Sequence, residues 1–232
     1  MAYNLRIAER VRQHGLLRAV EDIGIRAANR ITLCKILHCM KLETVHSEFL
    51  ETPTGYHAMF LENAQLRAFT RMPVYEFHEG FVEQAFDKGD RCYGVLTDDG
   101  VLAAYQWYAT TPTWYFAPCP RTLWNGIRVS FAEKYLYVYK SFTHPDHRGK
   151  RLHPTCITSV LASSQAHGCR GMLAIVESNN FASLKACYRT GYRDFGKAFL
   201  AVLFNQCLIS QSAGCKREEF RLTKHKEIPP VR

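Results

Sequence analysis

The feature of this sequence that most constrains its fold is an alternation of strand-like and helix-like segments between residues 135 and 204. The run EKYLYVYKSFTH alternates aromatic and aliphatic side chains, as a strand with two distinct faces does. PTCITSVLASSQAHG and NNFASLKACYRTG then have helical apolar spacing and end at glycines. The strand-like runs MLAIVE and YRDFGKAFLAVLFN follow these two helices. Alternation of this kind predicts a layered domain with helices on a sheet.

The first half of the chain adds further strands to this domain. GYHAMFL is strand-like, and two apolar runs flank Asp98-Asp99-Gly100, which is a strong signal for a β-hairpin. Two short helices are predicted within residues 62–89, the second ending at Gly89. The predicted fold class is therefore α/β, or more fully an α+β arrangement around a mixed sheet.

The most unusual turn is HPDHRGKRLHP, which joins a predicted strand to a predicted helix. The first N–H groups of a helix have no partner within the helix, and its dipole favours negative charge there. The turn also carries Arg148, Lys150 and Arg151 around a single glycine. A phosphate site follows from this combination. A metal site is an alternative by residue type, but its ligands match no recognised spacing, and we expect no metal: His144, Asp146, His147 and His153.

With the segments that follow it, this turn resembles the pattern of the GNAT N-acetyltransferase superfamily over residues 135–204. In that family a glycine-containing turn after the fourth strand wraps the pyrophosphate of acetyl-CoA. An asparagine and a small residue three positions later meet the pantetheine arm, and a glycine-aromatic pair opens the next strand. The turn positions are Arg148, Gly149, Lys150, Arg151, Leu152 and His153, the pantetheine positions are Asn180 and Ser183, and the closing pair is Gly191 and Tyr192. Residues 54–134 agree only in the order of their elements, and residues 1–50 lie outside the resemblance.

The sequence departs from the family pattern within the turn. Arg151 and His153 stand where glycine or alanine is usual. A bulky residue is strained at positive φ. We therefore expect both to be ordinary helix-start positions that leave the backbone N–H groups available. By the same resemblance, backbone N–H groups around Phe142 and Thr143 are expected to face the acyl carbonyl.

The catalytic residues are predicted from the same resemblance. Glu177, which ends the fifth-strand candidate, is the carboxylate expected to act as base or to bind the amine. The position at which many of these enzymes have a tyrosine acid holds Cys187, with Tyr188 next to it. Cys187 could donate a proton to the leaving thiolate, could form an acyl-enzyme, or could be a packing residue. Adjacent helical residues point about 100° apart, so Tyr188 cannot take the place of Cys187 without a register shift.

The amino-terminal segment has a composition of its own. Residues 1–45 carry eight basic residues against four acidic ones, within a chain of net charge +9. Apolar residues recur there at helical spacing, which predicts two basic amphipathic helices broken near Gly24. They could form a layer docked on the main domain or an arm that binds a membrane surface or a partner. The predicted organisation is a helical extension at 1–50, the acyltransferase domain at 51–210 and a polar tail at 211–232.

Composition bears on the cellular setting as well. Nine cysteines without a CxxC pair indicate free thiols in a reducing compartment rather than a disulfide framework. No apolar run approaches the length of a membrane span, and the first residues lack the apolar core of a signal peptide. We expect a cytoplasmic protein, with peripheral attachment to the inner face of a membrane as the alternative.

The resemblance implies an acyl-CoA-dependent N-acyltransferase, with acetyl-CoA as the default donor and an amine of unidentified structure as acceptor. Two alternatives stay open. A basic surface and an amphipathic arm would also suit a long-chain acyl-CoA or an acyl carrier protein, as in N-acyl amino acid synthases. A non-catalytic acyl-CoA-binding module would explain the missing tyrosine. Nucleic acid is not expected as a partner, because no RNA-binding signature accompanies the positive charge.

Overall fold

The computed structural model describes residues 33–114, 127–203 and 206–224. The strands are β1 (Leu33–Leu42), β2 (Tyr56–Leu61), β3 (Arg91–Thr97), β4 (Leu102–Ala109), β5 (Thr113–Trp114), β6 (Ile127–Ser130), β7 (Tyr135–Thr143), β8 (Gly171–Glu177), β9 (Arg193–Leu203), β10 (Gln206–Gln211) and β11 (Arg221–Lys224). The helices are α1 (Asn63–Arg67), α2 (Glu79–Asp87), α3 (Leu152–Gln165), α4 (Phe181–Thr190) and α5 (Ala213–Arg217). Within these segments no helix has both the length and the apolar character needed to cross a bilayer.

The main sheet has eight strands in the order β2-β3-β4-β7-β8-β1-β9-β10. All neighbouring pairs are antiparallel except β7 and β8, which are parallel. A parallel pair needs a crossover connection, and α3 provides it between these two strands. A second sheet of three short strands has the order β11-β6-β5. The mixed sheet with helices on it confirms the predicted fold class.

Both faces of the main sheet are covered. Helices α3 and α4 pack on one face through Ile157, Val160 and Leu184, which join a cluster with strand residues such as Met172. Helices α1 and α2 cover the opposite face of β3 and β4, where the cluster includes Val82 and the fully buried Trp107. The small sheet and α5 cover the same face nearer β9.

The parallel pair β7 and β8 separates along its length. Backbone pairing runs only from Tyr135 opposite Gly171 to Val138 opposite Ala174. Both strands continue beyond this point, β7 through Thr143 and β8 through Glu177. Their carboxyl-terminal halves therefore leave a gap in the middle of the sheet, and the gap opens toward the start of α3.

Several local predictions are confirmed. The runs around Asp98-Asp99-Gly100 form the hairpin β3–β4, and Gly100 has the positive φ of 79° that such a turn requires. GYHAMFL contains β2, and α4 ends at Gly191, whose φ is 97°. These elements are recognisable because their turn residues and apolar periodicity agree.

The second of the two amino-terminal helices, predicted after Gly24, is wrong over the described residues. Residues Leu33–Leu42 form β1, which pairs with β8 on one side and β9 on the other. Leu37 and Cys39 face one core cluster and Met40 and Leu42 the other, so both faces of the strand are buried. A run that is apolar on both faces has no strand periodicity and is easily read as a helix. The main domain was predicted to begin at residue 51, but it includes β1 and therefore begins earlier. The helix predicted before Gly24 lies outside the described residues.

The tail predicted at 211–232 is likewise shorter than expected. Helix α5 and strand β11 occupy residues 213–224, and Cys215, Phe220 and Leu222 are buried in the core. The backbone N–H of Leu222 donates to the side chain of Gln211, which fixes β11 beside β10. The packed domain therefore extends from β1 to β11, and residues 225–232 lie outside the described part.

Candidate functional site

The turn predicted to hold phosphate is a defined structure. After one 3-10 turn at Pro145–His147, Gly149 has a φ of 81° and Arg151 a φ of 60°, and α3 begins at Leu152. The expectation that Arg151 is an ordinary helix-start residue is wrong, because it is the left-handed N-cap. His153 is an ordinary helical residue, as expected. A left-handed backbone costs a non-glycine residue about 1–2 kcal/mol, so the fold maintains this conformation against an intrinsic preference.

This conformation leaves the backbone N–H groups of the turn available. The N–H groups of His147 and Arg148 close the 3-10 turn, and the next recorded backbone donor is Thr155, which bonds to Arg151. In the described structure no hydrogen bond uses the N–H groups of residues 149–153. Five donors in succession at the start of a helix form a strong anion site.

A cavity of about 640 Å³ opens on this turn. The guanidinium-bearing residues that line it are Arg148, Arg151 and Arg189, and a single acid, Glu48, lies among them. Lys150 does not line the cavity, because its ammonium donates to the hydroxyl of Tyr56 at 2.8 Å. The positive rim of the cavity therefore comes from arginines, and Lys150 contributes its backbone N–H.

A second cavity, of about 680 Å³, fills the gap between β7 and β8. His153 lines both cavities, so they meet at the first turn of α3. Asn180 and Ser183, predicted to contact a pantetheine arm, line the second cavity at the start of α4. The Oδ1 atom of Asn180 accepts the N–H of Ser183 at 3.1 Å and thereby caps that helix. The two predicted binding regions thus line two adjoining cavities, which together are called the channel.

Two buried polar atoms in the channel have no hydrogen-bond partner among the described residues: Nδ1 of His153 and the hydroxyl of Tyr192. Burial lowers the pKa of His153 to about 4, so its imidazole is neutral at physiological pH. Burial raises the pKa of Tyr192 well above its ordinary value, so its hydroxyl is a neutral donor. Unpaired buried polar groups are rare, and both atoms belong to residues that line the second cavity.

Glu177 lies at the end of β8 and lines the second cavity, as predicted. Its Oε1 atom accepts a hydrogen bond from the ammonium of Lys35 on β1 at 2.5 Å, and both side chains are largely buried. This ion pair compensates the negative charge of the Glu177 carboxylate and fixes the position of that side chain. The sequence does not reveal Lys35 as the partner of Glu177, because the pattern of the strand that carries Lys35 predicts a helix.

Cys187 and Tyr188 face different surroundings. Cys187 is buried in the core cluster and lines the second cavity, and burial together with the charge of Asp194 raises its thiol pKa to about 12. The hydroxyl of Tyr188 donates to Oδ2 of Asp194 at 2.6 Å, and Tyr188 lines neither cavity. The other oxygen of Asp194 lies 3.1 Å from Nδ1 of His38. The geometry therefore removes Tyr188 from the channel and leaves Cys187 as a neutral thiol beside it.

The predicted role of Phe142 is not supported by its position. Its ring stacks on Tyr105 at 5.4 Å within the core, and it lines neither cavity. Thr143 lines the first cavity. The β7 residues that line the second cavity are Tyr137 to Ser141, and those after Val138 lie beyond the last residue paired with β8. The part of β7 along this cavity therefore lies before the predicted Phe142 and Thr143.

Among the residues of the second cavity that sequence reasoning missed are Glu76, Phe81 and Lys140. Lys140 takes the place of an aliphatic residue after Leu136 and Val138 in the alternation of β7, which was its only signal. Glu76 follows a 3-10 turn and has a φ of 57°. Their assembly depends on the packing of α2 and its preceding loop against β7, which local sequence does not encode. The described residues contain no cluster of metal ligands.

The sequence profile of the Acetyltransferase (GNAT) family matches residues 56–192, more than half of the chain. The chain therefore belongs to the GNAT acetyltransferase family. No curated protein matches the sequence. The matched region includes β2 to α4 and so contains the turn, the gap between β7 and β8, and the residues that line both cavities except Glu48 and Phe49.

Solved structures resemble this fold at low sequence identity. A GNAT-family protein from Novosphingobium aromaticivorans is 20% identical, with a TM-score of 0.47, and the match covers 78% of this chain and 66% of that one. A tandem GNAT protein of clavulanic acid biosynthesis is 14% identical, with a TM-score of 0.49 and coverage of 72% and 53%. YncA from Salmonella typhimurium, solved with acetyl-CoA, is 15% identical, with a TM-score of 0.41 and coverage of 77% and 100%. This chain thus spans less than two thirds of the first two proteins.

Proposed function

We propose that this protein is an acyl-CoA-dependent N-acyltransferase that transfers an acetyl group from acetyl-CoA to an amine by direct attack. The observation that carries the proposal is the pair of adjoining cavities, one at the turn at residues 148–153 and the other in the gap between β7 and β8, with His153 lining both. The channel begins at five free N–H groups and an arginine rim. These groups suit a pyrophosphate, whereas the narrow gap suits an extended arm that ends in a thioester.

The donor is expected to lie along this channel. Its phosphates would bind the N–H groups of residues 149–153, with the charges of Arg148 and Arg189 at the rim. The pantetheine arm would then pass His153, whose unpaired Nδ1 can accept or donate according to its tautomer. It would reach Asn180 and Ser183 at the start of α4. The thioester would lie beside the part of β7 that is not paired with β8, where a backbone N–H would polarise its carbonyl.

The reaction requires few groups from the protein. The neutral amine attacks the thioester carbon, the C–N bond forms, the C–S bond breaks, and CoA leaves as a thiolate. The nitrogen releases one proton, and the thiolate is neutralised by a proton from solvent or a nearby donor. The sum is an ammonium plus acetyl-CoA giving an amide, CoA-SH and a proton.

The environment of Cys187 favours direct attack over an acyl-enzyme. A thiol with a pKa of about 12 is ionised to only about 1 part in 100,000 at pH 7. Nucleophilic catalysis requires the thiolate, so this cysteine is a poor nucleophile. Cys187 and Tyr192 are neutral donors that line the second cavity, and Glu177, which pairs with Lys35, lines the same cavity.

Isothermal titration calorimetry with CoA, acetyl-CoA and palmitoyl-CoA tests this proposal. Acetyl-CoA is expected to bind with a stoichiometry of one, and CoA with similar affinity, because the phosphates and the pantetheine arm make the contacts. Much tighter binding of palmitoyl-CoA would favour the long-chain alternative. The absence of binding by all three ligands would refute the acyl-CoA proposal. Acetyl-CoA binding without acetyl transfer to any amine would favour the non-catalytic module.

A further inference from the structure

The second cavity is lined by charges of both signs, whereas a site for a simple cation would be lined by negative charges alone. The charged side chains along it are Glu76, Lys140 and Glu177. Glu177 is compensated by the ammonium of Lys35. One carboxylate and one ammonium without such compensation therefore remain on the cavity wall, at its end near α2.

Lys140 forms no ion pair with any residue that the structure describes. It is partly buried on β7, its Nζ lies 5.6 Å from the ring centroid of Phe81, and no described carboxylate lies within 4.0 Å of it. Burial lowers its pKa, while the charge of Glu76 acts in the opposite direction. A partly desolvated ammonium beside an aromatic wall favours an anion that can restore the lost hydration.

Glu76 supplies the opposite charge from a constrained position. Its backbone has a φ of 57°, and its neighbours Tyr75 and Phe77 are buried in the core cluster of α2. The two buried rings stack at 6.1 Å and hold the intervening residue at the cavity. Left-handed glutamates are uncommon, and the fold tolerates this exposed one at the edge of the cavity. Glu76 influences Lys140 electrostatically, but the two do not form an ion pair.

We propose that the acyl acceptor is a free α-amino acid, with its carboxylate bound by Lys140 and its ammonium group bound by Glu76. This inference rests on the proposed acyltransferase function and names the substrate class. An α-amino acid carries adjacent charges of opposite sign, as the cavity wall does. A polyamine or an aminosugar with several ammonium groups would need several free carboxylates and would be repelled by Lys140.

The proposal also orients the reaction. The bound ammonium must lose one proton before its nitrogen attacks the thioester carbon. The products are then an N-acetyl amino acid, CoA-SH and a proton. The amide product has lost the positive charge that Glu76 binds, so the site holds the product less tightly than the substrate, which assists its release.

The test compares amino acids with analogues that lack the carboxylate charge. CoA release from acetyl-CoA is measured with the twenty amino acids, their α-amides, their decarboxylated amines and spermidine. The protein variants are Lys140→Met, Lys140→Arg and Glu76→Gln, with the exposed Lys216→Met as the matched control. Calorimetric titration with acetyl-CoA accompanies each variant, and retained binding shows that the variant is folded.

We expect one or more amino acids to be acetylated with a kcat/KM at least ten times that of the matching amide. Lys140→Met should raise the KM of the amino acid about ten- to a hundredfold, the range for loss of a charged hydrogen bond, and leave the amide unchanged. Lys140→Arg should restore part of the affinity. Glu76→Gln should weaken the acid and the amide alike, because both carry the ammonium, and Lys216→Met should change neither.

Two results would overturn the inference while leaving the acyltransferase proposal in place. One is equal or better turnover of the amides or of spermidine. The other is acetylation of none of the amino acids by a protein that binds acetyl-CoA and acetylates another amine. A wild-type protein that does not bind acetyl-CoA would instead refute the proposed function, and the acceptor inference with it.

Discussion

Replacement of Gly149 by proline tests the phosphate site at its centre. Gly149 has a φ of 81°, a Cβ atom there would meet nothing within 4 Å, and its N–H is among the free donors of the turn. Proline fixes φ near −65° and has no N–H. The substitution therefore removes one donor and also redirects the four that follow it.

The expected loss of affinity can be worked from these two effects. A hydrogen bond to a charged group contributes about 1.5–3 kcal/mol, which corresponds to roughly 10- to 150-fold in the dissociation constant. Misalignment of the following N–H groups adds to this loss, so we expect at least a hundredfold weaker binding of CoA. Gly149→Ala keeps the N–H and is expected to weaken binding tenfold or less.

Calorimetric titration with CoA measures the effect, and Gly55→Pro is the matched control. Gly55 has a φ of 82°, its Cβ would also meet nothing within 4 Å, and its N–H has no recorded partner in the described structure. It precedes β2 and lines neither cavity. Unchanged CoA affinity in folded Gly149→Pro, or an equal loss in Gly55→Pro, would refute the assignment of the phosphates to this turn.

Three further predictions concern other parts of the structure. Cys187→Ala should leave kcat within about threefold of wild type, because the thiol is neutral, and steady-state kinetics showing a loss beyond about a hundredfold would establish a catalytic thiol. Glu177→Gln should lower acetyl transfer at least tenfold with the dissociation constant of acetyl-CoA unchanged, and normal turnover would remove this carboxylate from the acceptor site. The third prediction is thermodynamic and concerns the buried Asp90, which accepts a hydrogen bond from Tyr139 at 2.9 Å and whose pKa is raised by burial from 3.8 to about 6. A carboxyl group with a raised folded pKa stabilises the protein when protonated, so its contribution is full below pH 3.8 and is lost as the pH rises through 6, by about 3 kcal/mol at most. Asp90→Asn should therefore be more stable than wild type at pH 7 and show little difference near pH 3.5 in urea unfolding, and a variant that is less stable at pH 7 would contradict the burial argument.

Much of the fold could be predicted because its elements have consistent local signals. The hairpin around Asp98-Asp99-Gly100 combines turn residues with flanking strand patterns. Helix α4 ends at Gly191, a glycine whose position after the helical pattern marks the end of a helix. Strand β1 could not be predicted, because Leu37 and Met40 face different core clusters and the run therefore lacks alternation. Its place between β8 and β9 depends on pairing over long sequence separations, which local patterns do not contain.

The candidate site divides in the same way. The turn and the asparagine cap lie on contiguous segments, so their positions followed from the sequence. The left-handed conformation of Arg151 did not, because arginine carries no signal for positive φ. The ion pair of Lys35 and Glu177 joins residues 142 positions apart in the sequence. Glu76 and Lys140, which have charges of opposite sign, line the same cavity only when α2 packs against the sheet. The composition of a sequence shows that such residues are present, but it does not show which of them lie close together in the fold.

A crystal structure of the protein with bound acetyl-CoA tests the central claim most directly. The account predicts the pyrophosphate within hydrogen-bonding distance of the N–H groups of residues 149–153, the pantetheine arm beside His153 and Asn180, and the thioester in the gap between β7 and β8. Acetyl-CoA bound elsewhere, or with its phosphates away from the turn, would contradict the account.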